Sequence, residues 1–209
     1  MVGGSGLYVN AVTKGFDEFP DIAPEIRMQL NSELETNGLE FLQEELKEID
    51  PISYATIALK NPHRVIRALE ICRGTGNPYS SFLNNDKRKR PFNTISIGLK
   101  AERPLIYERI NQRVDQMLEN GLLEEAKSVF EHRDLNALNT VGYKELFHYF
   151  DGEWKLDFAV SEIKKNTRRF AKRQMTWFQK DPETAWFEYD TNLENIVNHL
   201  NTVIKKTSE

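Results

Sequence analysis

The chain has 209 residues, enough for one globular domain with an appendage or for two small domains. With 39% hydrophobic and 29% charged residues, and no apolar run near the ~20 residues a bilayer crossing needs, wholesale disorder and a membrane span are both excluded as expectations. The net charge of −4 conceals a polarity, because residues 16–50 carry eleven acids against Arg27 and Lys47, whereas residues 163–180 carry seven bases and no acid. A lone cysteine, Cys72, leaves no intramolecular disulfide and no multi-cysteine zinc site, and an amino terminus without a basic region leading into an apolar stretch points to the cytoplasm.

In chain order, Val2-Gly3-Gly4-Ser5-Gly6-Leu7-Tyr8-Val9 reads as the end of a buried strand, a glycine turn and a helix start. Ile22, Ile26, Leu30 and Leu34 step by four and Gly38 ends that helix, and Leu39, Leu42, Leu46 and Ile49 step by three and four until Asp50-Pro51, which makes residues 13 to about 60 helical and acidic. Asn61-Pro62 supplies a cap and a first-turn proline for a helix running to Gly74, with Cys72 on its apolar face. Residues 74–93, with Lys87-Arg88-Lys89-Arg90, read as a loop and a boundary.

Thr94–Leu99 is a β-branched strand candidate, followed by a helix from Pro104 with the stripe Ile106, Ile110, Val114 and Met117, closed by Asn120-Gly121. Helices are expected over Leu122–His132, from Val141 to Gly152, and over Leu156–Gln179. The last has the stripe Val160, Ile163, Thr167, Phe170, Met175 and Phe178, and a basic face of Lys165, Arg168, Arg169, Lys172 and Arg173. Thr184–Tyr189 is a second strand candidate, and Leu193, Ile196, Val197, Leu200 and Ile204 mark a terminal helix.

Three groups of residues suit anion chemistry. Gly3, Gly4, Ser5 and Gly6 admit a backbone close to a phosphate, or form a plain turn. Arg109 and Arg113, four apart on one helix face, suit a diphosphate, or pair with Glu108 and Asp115. The basic helix interleaves Phe170, Trp177 and Phe178 with its cations, as does His63-Arg64 with Arg67 on a smaller scale; such faces suit RNA, or are simply solvated. The four histidines have no ligand spacing, so no metal site is expected from them.

Five segments in order, Gly3–Tyr8, His63–Glu70, Glu108–Leu118, Val141–Glu145 and Thr167–Phe178, closely resemble the tRNA dimethylallyltransferase (tRNA isopentenyltransferase) family over nearly the whole chain, with Ser5 where the family usually has threonine. The resemblance implies an α/β fold, the mostly helical remainder of a P-loop NTPase-like core, with residues 1–12 and 94–209 in the core and 13–93 an inserted helical subdomain. It implies transfer of a dimethylallyl group from dimethylallyl diphosphate to N6 of the adenine 3′ of the anticodon, with Mg2+ on the diphosphate, in a cytoplasmic monomer. By that analogy Arg113, helped by Arg109, contacts the diphosphate near Gly3–Gly6. His63, Arg64, Arg67, Val141, Gly142, Tyr143, Lys144, Arg168, Lys172, Arg173, Gln174 and Trp177 face the tRNA anticodon stem-loop. The family's P-loop and aspartate base have no counterpart in these 209 residues, so the chain resembles a carboxy-terminal portion, expected to be inactive alone. A non-catalytic RNA-binding fragment and an adenylate isopentenyltransferase are the alternatives.

Overall fold

The computed structural model describes residues 1–83 and 90–207, so Lys87-Arg88-Lys89 lies outside the described residues. The chain divides into two compact units, Leu7–Phe92 and Met1–Gly6 with Asn93–Glu209.

The Leu7–Phe92 unit is helical. After α1 (Gly6–Thr13), residues 15–23 are not helical, contrary to the continuous helical reading from residue 13: Gly15 takes a left-handed φ of 87°, and Pro20 and Pro24 interrupt the hydrogen-bond ladder. The first apolar position of that reading, Ile22, precedes the helix and packs on Gly74, where a Cβ would stand 2.6 Å from its Cδ1. α2 (Pro24–Ile49) starts on Pro24 and consists of two helical segments that meet in a kink at Gly38, whose φ of 79° and ψ of 174° are not helical, as the sequence reading placed a helix end there. Asp50 then caps the short α3 (Pro51–Thr56), its carboxylate accepting from Ser53 N (3.0 Å) and Ser53 Oγ (2.6 Å).

Asn61 caps α4 (Pro62–Thr75) through His63 N, and the helix runs through Gly74 to Gly76, whose left-handed φ of 71° closes it. Leu30, Leu42 and Leu46 from α2 meet Val65, Ile66, Ala68 and Leu69 from α4 in one core. Burying each large aliphatic side chain there stabilises the fold by roughly 1.5–3 kcal/mol. Cys72 is buried in the same helix, and desolvation pushes its thiol pKa up, as befits a packed rather than a reactive cysteine.

In the other unit the strand expected at Val2 is absent among the described residues, and Val2 is fully exposed. β1 (Ile97–Lys100) leads to α5 (Arg103–Glu119), α6 (Leu122–Ser128), α7 (Tyr143–Phe150) and α8 (Leu156–Phe178), and β2 (Ala185–Glu188) pairs back on β1 in parallel before α9 (Leu193–Thr207). The register sets Gly98 opposite Trp186, and a Cβ at Gly98 would stand 2.6 Å from that indole. Val114, Leu122, Ala126, Leu146, Phe147, Ala159 and Ile163 form the core that holds α5, α6, α7 and α8 together. On α8 the buried positions are Ala159 and Ile163, while Phe170, expected in the stripe, is 43% exposed with the Arg173 guanidinium over its ring. Among the described residues no helix is long and apolar enough to cross a membrane.

Candidate functional site

The glycine turn and the carboxyl end of α8 meet in one place. Gln174 Nε2 donates to the Gly4 carbonyl at 2.8 Å, and a Cβ on Gly4 would stand 2.3 Å from that nitrogen. A Cβ on Gly6 would stand 2.2 Å from Trp177 Nε1. Neither glycine takes a positive φ, so glycine is required here by close approach rather than by backbone conformation. Gly3 has open space around its Cα, and Ser5 is exposed.

Arg109 and Arg113 lie on the exposed side of α5. Arg109 stacks on Tyr189 with its guanidinium carbon 4.6 Å from the ring centroid. Arg113 has no partner among the described residues, and the acids near it on its own helix are occupied: Asp115 pairs with Lys164 at 2.6 Å, and Glu108 accepts from Gln112 at 3.2 Å. An exposed, uncommitted guanidinium can grip two oxygens of an arriving anion without first breaking a contact.

The basic face of α8 is not uniform. Lys165 pairs with Glu162 on its own helix, whereas Arg168 reaches α5, donating to Asn111 Oδ1 at 2.7 Å and lying 5.9 Å from the centre of the Tyr107 ring. Lys172 and Arg173 stay exposed, as does Trp177 at 41%. Beside this helix the Val141–Lys144 turn opens α7, with Gly142 at φ 110° and its N–H donating to Glu145 at 2.8 Å. The Tyr143 phenol donates to Glu125, a hydrogen bond that pushes its pKa up.

His63, Arg64 and Arg67 belong to the Leu7–Phe92 unit, where with Ile57 and Tyr79 they line an open pocket of about 380 Å³. Arg67 sits 5.3 Å from the centre of the Phe19 ring, which stacks on Tyr79. Burial opposes the charge on Glu70, but hydrogen bonds from Arg27 and Arg67 outweigh it and hold its pKa below the usual range.

Sequence reasoning assigned no role to Glu70, Glu145, Arg27 or Asn166. The signal that was available is an acid closing each of two motifs, His63–Glu70 and Val141–Glu145, both of them buried.

Against this geometry, residues 1–181 match the family model described as IPP transferase. The chain is 59% identical over 204 residues to a tRNA dimethylallyltransferase of Christiangramia forsetii, covering 98% of this chain and 68% of that one. It is 53% identical to one from Flavobacterium psychrophilum, covering 98% of this chain and 69% of that one. The chain thus spans about two thirds of the length of these curated relatives. A crystal structure of a full-length tRNA isopentenylpyrophosphate transferase from Bacillus halodurans superposes with a TM-score of 0.57 at 38% identity, covering 96% of this chain and 63% of that one. A eukaryotic dimethylallyltransferase acting on tRNA, 22% identical, shares the fold with a TM-score of 0.73, covering 98% of this chain and 56% of that one.

The class is therefore that of the tRNA isopentenyltransferase folds, mostly helical and P-loop-like with a small parallel sheet. The chain belongs to the IPP transferase family.

Proposed function

We propose that this chain belongs to an enzyme that transfers a dimethylallyl group from dimethylallyl diphosphate to N6 of the adenine 3′ of a tRNA anticodon, and that it supplies the leaving-group arginine and much of the tRNA surface. The observation that carries the reading is Arg113, an exposed guanidinium with no partner among the described residues, inside a segment shared with relatives named tRNA dimethylallyltransferase. When the allylic carbon–oxygen bond breaks, positive charge develops on carbon and negative charge on the departing diphosphate, while the adenine nitrogen forms the new bond and gives up a proton. Arg113 stabilises the departing charge, and Arg109, held by Tyr189, flanks it one helical turn away. The resemblance assigns the proton to an aspartate outside these residues.

The nucleophile is a weak aromatic amine, so positioning carries much of the rate. Lys172, Arg173 and Lys144 meet backbone phosphates in this reading, and Trp177, seated on Gly6, presents a ring to an unstacked base. His63, Arg64 and Arg67 add a second contact from the helical unit, which we regard as an insertion into the core. Mg2+ on the diphosphate is part of the proposal; among the described residues no group of three or more His, Cys, Asp or Glu fits a metal ion, and the departing charge is stabilised above by arginine alone. Action on tRNA implies a cytoplasmic location.

The test supplies the protein, expressed with its complete reading frame, with labelled dimethylallyl diphosphate and unmodified tRNA. Label at the adenine beside the anticodon is expected, and label in free adenylate instead would favour the nucleotide-modifying alternative. No label in either would refute the reading. These 209 residues alone, which hold no Gly-x-x-x-x-Gly-Lys-[Ser/Thr] segment, are expected to incorporate none.

A further inference from the structure

Glu145 is 3% exposed, and among the described residues its partners are two neutral donors, Gly142 N at 2.8 Å and Asn166 Nδ2 at 2.8 Å. A carboxylate removed from water is costly unless its oxygens are filled, and here each takes one hydrogen bond. Capping α7 requires only the first of them. The second leaves the helix: Asn166 lies on α8, and its Oδ1 accepts from Arg169 Nη1 at 3.3 Å on the basic face. The polarity of this chain is imposed by Glu145, because an ionised carboxylate only accepts, so Asn166 must turn its amide nitrogen inward and its oxygen toward Arg169.

We propose that Glu145 is a positioning residue for tRNA, fixing the Val141–Lys144 turn through Gly142 and Arg169 through Asn166, so that both present their cations in one frame. This rests on the tRNA reading above. Glutamine at position 145 preserves shape but carries a donor. If its carbonyl caps Gly142, its NH2 faces Asn166, and the Asn166 amide must turn over, presenting its own NH2 to Arg169 and releasing that side chain. The deleted link is therefore felt at Arg169, a helix away.

The test measures the Michaelis constants for tRNA and for dimethylallyl diphosphate in the complete protein, with the thermal midpoint as a control on folding. Glu145→Gln is expected to raise KM for tRNA about tenfold, the order of one lost hydrogen bond to a charged group, without moving KM for the diphosphate. Asn166→Ala, at a half-buried position that leaves the cap intact, should give a smaller rise of the same kind, and Arg169→Ala should add nothing in the Asn166→Ala background. A lowered thermal midpoint with KM for tRNA unchanged in both variants would reduce Glu145 to a helix cap and overturn the proposal. So would full additivity of Arg169→Ala. If Lys172→Ala is equally silent toward tRNA, the tRNA reading itself falls; if Lys172→Ala weakens binding while Glu145→Gln and Asn166→Ala do not, only the positioning role falls.

Discussion

Replacing Gly6 with alanine sets two opposing effects against each other, and the structure decides the sign. Gly6 opens α1 without a positive φ, so alanine by itself favours the helix by less than the roughly 0.5–1 kcal/mol of a helix-interior position. Its Cβ, however, would stand 2.2 Å from Nε1 and 2.3 Å from Cδ1 of Trp177, where ordinary contact begins at 3.4 Å. The indole must withdraw by more than an ångström, and overpacking of this kind costs about 1–3 kcal/mol. Because Trp177 is 41% exposed, the ring can rotate outward, which favours the lower half of that range. The expected net loss is about 1 kcal/mol, read as a lower urea midpoint at unchanged slope. In a Trp177→Ala background the clash disappears and the loss from Gly6→Ala should vanish or turn into a gain below about 0.5–1 kcal/mol. Gly6→Ala should also weaken tRNA binding, although Gly6 has no side chain to offer RNA. A neutral or stabilising Gly6→Ala in the natural background would refute the close approach of ring and backbone.

Arg113→Ala should lower turnover by about 100-fold or more with tRNA affinity little changed, since one preorganised donor to a developing charge is lost; unchanged turnover at saturating substrates would move the role to Arg109. Neutralising Lys172 and Arg173 together should flatten the slope of log tRNA affinity against log salt by about 1.4–1.8, measured by filter binding, and should weaken different tRNAs alike. An unchanged slope would return this face to solvent. The Arg27–Glu70–Arg67 cluster should make stability fall in acid: Glu70 has a folded pKa below its ordinary 4.5, so its contribution is complete above that value and is lost as pH drops through the depressed one. Glu70→Gln should remove this part of the acid dependence in denaturant titrations from pH 7 downward, and an unaltered pH profile would show that the guanidiniums do not hold the carboxylate.

Much of the fold was legible because its signals act over a few residues. Asn61 caps α4 and Pro62 starts it, Gly121 and Gly142 interrupt the chain at left-handed conformations, and the three- and four-residue steps of Ile26, Leu30 and Leu34 and of Leu39, Leu42 and Leu46 mark buried faces, each signal acting within a few helical turns of chain. The motifs that carry the family resemblance are local strings for the same reason. Gly38, read as the end of one helix before the next begins, does interrupt the helical torsions there; where local signals competed, sequence reading erred, because α4 runs past Gly74 to the left-handed Gly76 and Phe170 follows the periodic stripe of α8 yet remains exposed.

What periodicity left open was the choice of partner. Arg113 has acids of its own helix close by, and only the approach of Lys164 to Asp115 and the turn of Gln112 toward Glu108 leave it uncommitted. Arg168 belongs to a basic face in projection but reaches Asn111 on α5, and Gly4 meets Gln174 across 170 residues of chain. Glu70 and Glu145 each close a motif, but nothing in the string tells their tasks apart; burial with two guanidiniums in one case and two neutral donors in the other does. Propensity and capping are set by backbone torsions and by neighbours within about four residues, so they can be read along the chain. The partner of a charged side chain is set by which distant groups packing brings within 3 Å, and that is determined only when the helices and strands have docked.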